Sequence, residues 1–127
     1  MQFFIAATLL IVGAIHLLPL VGMVSASRVS SLYGVAVAEP NLEVLMRHRA
    51  VLFGLLGGFL MFAAFQPRYQ AAGFVAGMVS VLSFLWLAFA VGGLNAQLTR
   101  VVVADLLAAV LLLAGAGALV WTRSRGA

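Results

Sequence analysis

A chain of 127 residues in which 65% are hydrophobic and only 8% charged, with a mean hydropathy of +1.22, is far more apolar than a soluble domain, where about a quarter of the residues carry charge. A water-soluble fold of this length could not bury so many Leu, Val, Ala and Phe side chains, so the composition is that of an integral membrane protein. The net charge of +4 rests on seven Arg and no Lys, placed singly or in pairs rather than in a basic arm, which sets nucleic-acid binding aside; the absence of Cys excludes disulfides, thiol redox chemistry and Cys-based metal sites.

Four apolar segments follow one another at about residues 2–24, 42–65, 69–91 and 98–121. Each is close to the ~20 residues needed to cross a hydrocarbon core of about 30 Å as a helix, and none has the two-residue alternation of a membrane barrel. The expected fold is all-α: an integral membrane bundle of four transmembrane helices, up-down, in a single domain spanning residues 1–127. The rival for the first segment is a secretory leader, because "VSAS" at 24–27 resembles a cleavage site. No Arg or Lys precedes the segment, however, its apolar stretch exceeds the usual length, and His16 and Pro19 interrupt it, so an uncleaved helix is expected.

The connection at residues 25–40, "SASRVSSLYGVAVAEP", mixes turn formers with a moderately apolar centre and is expected along the interface or folded back as a short helix. Asn41, after Pro40, reads as the N-cap of the second helix, with Glu43 in its first turn where the helix dipole favours an acid. Pro67 separates the second and third helices, and "GGLNAQ" turns the chain into the fourth. An up-down arrangement puts Arg68, Arg123 and Arg125 on one side and Arg28, Arg47, Arg49 and Arg100 on the other, nearly a tie by the positive-inside rule. Arg47 and Arg49 lie inside a helix with acids nearby, whereas "TRSRGA" is a basic tail. Both termini are therefore expected on the cytoplasmic side of the inner membrane.

The second helix opens with Arg47, His48 and Arg49 in a row. At about 100° per residue, Arg47 shares a face with Glu43, Ala50, Gly54, Gly57 and Gly58, and Arg49 shares one with Phe53, Leu56 and Leu60. Small residues, including the Gly54/Gly58 pair, mark close helix approach in membranes, so Arg47 is expected to face the bundle and Arg49 the lipid headgroups, with His48 between. On the fourth helix Asp105 shares a face with Ala108, Ala109, Leu112 and Ala116, while Arg100, roughly 140° away, snorkels outward. His16, Glu43, Arg47, His48, Asn95 and Asp105 thereby fall at one end of the bundle as a polar cluster. A charge at membrane depth usually has a partner or a function, and Arg47 with Asp105, supported by Glu43, is the economical pair, first of all as a register pin between helices. His16 reads as a hydrogen-bonded core histidine and Ser80 and Ser83 as backbone-bonded serines. A second glycine pair, Gly73 and Gly77, is expected inside the bundle. His16 and His48 with Asp105 or Glu43 match no recognised metal spacing, and no nucleophile elbow, phosphate loop, HxGH motif or catalytic carboxylate pair occurs, so neither metal nor cofactor nor catalytic residue is assigned.

The stretches "IHLLPL", "LYGV", "PNLEVLMRHRAVLFGLLG" and "ADLLA" together resemble the small bacterial four-helix membrane proteins of the DoxX-like type, "LMRHRA" after the Pro-Asn pair being the most specific. The resemblance covers most of the chain, matches His16, Tyr33, Gly34, Pro40, Arg47, His48, Arg49 and Asp105, and implies a fold but no activity. Function classes rank as follows: first, a non-enzymatic membrane component that binds a lipid, quinone or partner membrane protein through the polar half of the bundle, an anionic headgroup on Arg47 being its most concrete form; second, a small proton-coupled transporter acting as a homodimer, which would need His16 where such exporters use Glu; third, an intramembrane enzyme with a histidine base.

Overall fold

The computed structural model describes residues 1–18, 33–34 and 39–126. Among them every regular element is helical: α1 (Gln2–Leu17), α2 (Pro40–Ala64), a 3-10 turn (Pro67–Tyr69), α3 (Gln70–Val91) and α4 (Ala96–Gly126). Three of these helical stretches, residues 40–64, 67–91 and 96–126, are long and apolar enough to cross a membrane. The described part of α1, with 16 residues, reaches about 24 Å at 1.5 Å per residue, short of a full crossing. Residues 19–24 of the expected first segment, and Arg28, lie outside the described residues.

The start of α2 corrects the expected cap. Pro40 takes the first helical position, where its fixed φ and missing N–H do no harm, so the cap falls one residue earlier, on Glu39. Its carboxylate accepts from the Asn41 and Leu42 backbone N–H groups at 3.0 Å each and from the Asn41 side chain at 2.7 Å. Those backbone donors hold the Glu39 carboxyl below the usual carboxylate range. At the far end of α3 the chain turns through Gly92 (φ 69°) and Gly93 (φ 65°), left-handed conformations that side chains with a Cβ disfavour.

Hydrogen bonds at the two ends define an up-down ring. At one end Gln70 Nε2 donates to Gln2 Oε1 (3.3 Å) and Ala64 O (3.2 Å), and Arg123 donates to Pro67 O (3.0 Å), joining the start of α1, the α2–α3 turn and the end of α4. At the other end Asn95, before α4, donates to Tyr33 O in the α1–α2 connection (2.9 Å). α1 packs on α2 and α4, α3 packs on α2 and α4, and α2 and α4 stand on the diagonal without close backbone approach. Ile5, Leu9, Val12, Leu60, Val81 and Leu112 fill the centre. The outside is apolar too: Phe3 (88% exposed), Trp86 (71%) and Phe89 (69%) point away from the bundle. An exterior of this kind suits lipid rather than water.

Glycines set the helix spacing, though not all those expected. Gly73 and Gly77 do face inward, a Cβ on them lying 3.2 Å from Ala63 and 3.3 Å from Leu112. On α2, however, the close crossing is made by Gly57 against Gly13 of α1, while Gly58 is exposed and faces open space. A Cβ on Gly57 would come within 2.7 Å of the Gly13 carbonyl oxygen, which backbone cannot easily vacate. Gly57→Ala should therefore destabilise the bundle by about 1–3 kcal/mol as an overpacked contact, whereas Gly58→Ala should be neutral or stabilising by up to about 1 kcal/mol through helix propensity. Thermal unfolding of both variants in detergent checks this, and equal effects would contradict the crossing.

Candidate functional site

Asn95 organises the end of the bundle where α2 and α4 begin. Its Oδ1 accepts from Leu98 N–H at 2.8 Å, capping α4, and its Nδ2 donates to the carbonyls of Tyr33 (2.9 Å) and Gly34 (3.1 Å). Gly34 has φ 66°, and a Cβ there would lie 2.7 Å from Gln97 Oε1, so glycine is needed on both counts. With its carbonyl so anchored, Tyr33 points inward. The ring is 4% exposed and packs against Leu42 and Met46 of α2 and Leu98 and Val101 of α4, filling the diagonal that the two helices leave between them.

Tyr33 in turn selects the arginine that faces inward. Arg49 Nη1 donates to the Tyr33 hydroxyl at 2.6 Å, and its guanidinium lies 5.0 Å from the Tyr33 ring centroid and 4.4 Å from that of Phe53. Cation–π contacts of this kind contribute about 0.5–1 kcal/mol when exposed and more when desolvated. Half-buried Asp105 stands at the same level, nine residues into α4 as Arg49 is into α2. The expected assignment is thus reversed. Arg47 pairs with Glu43 one turn earlier on its own helix, at 3.2 Å and with the two side chains 42% and 35% exposed, a partly exposed i,i+4 pair worth about 0.3–0.5 kcal/mol. The physical reason is that α2 buries two arcs. Its small-residue arc, Ala50 and Gly57, meets α1, while the Phe53, Leu56 and Leu60 arc that carries Arg49 turns toward the bundle axis, where Leu60 is fully buried. His48 and Arg100 are exposed.

His16 extends the cluster inward. Its Nδ1 lies 2.9 Å from the Val12 carbonyl, which can only accept, so Nδ1 carries the proton; in the neutral ring Nε2 then accepts from the Ser80 hydroxyl at 3.0 Å. That bond ties α1 to α3 across the bundle and replaces the expected backbone bond for Ser80, whereas Ser83 does donate to the Ser80 carbonyl. The His16 ring also meets Phe53 at 5.6 Å. Of the six residues expected to cluster, Asn95 and His16 join one continuous set of contacts, His16–Phe53–Arg49–Tyr33–Asn95, and Asp105 lies on α4 one turn beyond Val101, which packs on Tyr33. Glu43 and Arg47 pair with one another along α2, and His48 is exposed. Tyr33, Arg49 and Ser80 are the members the cluster lacked. Among the described residues no three His, Asp or Glu side chains gather as a metal-holding group.

No family model, no curated protein and no solved structure matches the chain.

The contact between Arg49 and Tyr33 has a direct test. Tyr33→Phe keeps the ring and removes the acceptor, which should cost about 1.5–3 kcal/mol, the range for a hydrogen bond to a charged group. In an Arg49→Met background the same change should cost little. Detergent melting curves of the single and double variants check this, and a Tyr33→Phe loss of equal size in both backgrounds would contradict the bond.

Proposed function

We propose that this chain is a multi-pass protein of the bacterial inner membrane, a four-span up-down bundle with both termini cytoplasmic, that works without catalysis by holding the polar head of a membrane-embedded lipid at the end where α2 and α4 begin. The observation that carries the proposal is the state of Arg49. A guanidinium has five N–H donors, of which one is engaged by Tyr33 among the described residues, and two aromatic rings hold the group in place. Arg49 lies nine residues into α2, about 14 Å along its axis, below the polar first turn and beside apolar side chains. A charge so placed costs up to about 2.5–3.5 kcal/mol on insertion scales unless it is compensated. Preorganised donors at the border of an apolar region are what an acceptor-rich headgroup requires.

The resemblance to DoxX-like membrane proteins agrees with the four-span form. A quinone carbonyl would use the same donors, but its single oxygen offers a guanidinium fewer acceptor atoms than a phosphodiester does.

Native mass spectrometry of gently extracted protein tests the proposal. The expected spectrum contains lipid adducts that persist in Arg47→Leu and are lost in Arg49→Leu. A protein that arrives bare, or with adducts indifferent to Arg49→Leu, would contradict it.

A further inference from the structure

Arg49 and Asp105 are opposite charges at the same level of the bundle that do not close on one another. Each stands nine residues into its helix, about 14 Å along the axis from the end the two helices share. Asp105 lies one helical turn beyond Val101, which packs on Tyr33, so it shares the face of α4 that looks toward the Tyr33 hydroxyl where Arg49 is held. Yet the ion pair formed among the described residues within 4.0 Å is Arg47 with Glu43, on the neighbouring arc of α2. The cause lies in the fold. α2 and α4 are diagonal, Tyr33 fills part of the space between them, and its hydroxyl and ring, with the Phe53 ring, hold the guanidinium on the α2 side. Asp105 is half-buried and takes no hydrogen bond from the described residues. A pair serving only to join two helices would gain most by direct contact, because a separated pair at membrane depth forgoes both hydration and hydrogen bonding.

Two opposed charges held apart match a ligand that carries both signs. From this geometry we infer that the site takes a zwitterionic headgroup with a phosphate and a primary ammonium, the phosphate on the N–H groups of Arg49 that no described residue takes and the ammonium on the carboxylate of Asp105. The inference rests on the lipid-holding function proposed above and names its ligand class, the aminophospholipids. Arg49 can donate two parallel bonds to a phosphate, and a primary ammonium offers three N–H donors to a carboxylate that has none. An anionic headgroup without an amine would satisfy Arg49 but bring a negative charge toward Asp105. A trimethylammonium headgroup has the charge but no N–H to donate.

The experiment compares headgroups on the unaltered protein, so it does not depend on any variant folding. Delipidated full-length protein in detergent is titrated with phosphatidylethanolamine, phosphatidylglycerol and phosphatidylcholine of identical acyl chains, with occupancy read by native mass spectrometry. Phosphatidylethanolamine should bind roughly tenfold or more tighter than either of the others, as expected when one charge-assisted hydrogen bond is gained or lost. Asp105→Asn should remove that preference while leaving phosphatidylglycerol binding equal or stronger, and Arg49→Gln should weaken all three. Soluble phosphoethanolamine binding as tightly as the lipid would assign the same recognition to the free compound. Equal affinity for all three lipids, or a preference that survives Asp105→Asn, would overturn the zwitterion inference while leaving lipid binding itself in place. Binding of none would overturn both.

Discussion

A guanidinium set among apolar helices has to be held by something, and here the Tyr33 hydroxyl holds it. The 2.6 Å bond from Arg49, with aromatic rings at 5.0 and 4.4 Å, fixes which of two neighbouring arginines belongs to the interior. Everything at that end of the bundle follows from where Tyr33 sits. Its carbonyl and that of Gly34 are tied to Asn95, and Asn95 is tied to the first turn of α4. Tyr33 and Gly34, the start of α2 and the start of α4 are therefore joined by direct contacts, although α2 and α4 do not approach each other directly.

The apolar body of the protein is closely packed. Gly13 and Gly57 let α1 and α2 pack with no side chain between their backbones, and Gly73 and Gly77 let Leu60 and Leu112 fill the centre. Close packing of this sort, with small residues at the crossings, is what helices long and apolar enough to cross a membrane require for association. The His16–Ser80 bond adds a polar tie between the diagonal helices α1 and α3. Phe53, touched by His16 and by Arg49, carries the packed core into the polar end, so the position of the guanidinium is set from the interior as well as from Tyr33.

Much of this was legible in the sequence, and the misses have particular causes. Segment length and hydropathy indicate the helices, Asn95 reads as a polar anchor beside the fourth, and the Ala108, Ala109 and Leu112 face of α4 is buried as its small residues imply. The N-cap was available as well: Pro40 favours the first helical position, which puts the cap on Glu39 rather than Asn41. Arg49 was misplaced because a face of small residues marks the nearest neighbour of a helix and not the axis of the bundle; α2 has both, on different arcs. Tyr33 gave no periodic signal, being one aromatic residue in a connection, and Ser80 is 64 residues from His16 with no spacing rule to join them. Contacts of that range come from the packing of helices and cannot be read along any one of them.

If the Tyr33 hydroxyl holds Arg49, rather than Arg47, toward α4, then Arg49 is the arginine whose removal Asp105 feels. A pair of double-mutant cycles on the thermal stability of the detergent-solubilised protein measures this most directly, one joining Arg49→Met with Asp105→Asn and the other joining Arg47→Met with Asp105→Asn. The account predicts an interaction energy above about 0.5 kcal/mol in the first cycle and additivity within about 0.5 kcal/mol in the second. Coupling confined to Arg47, or additivity in both cycles, would contradict it.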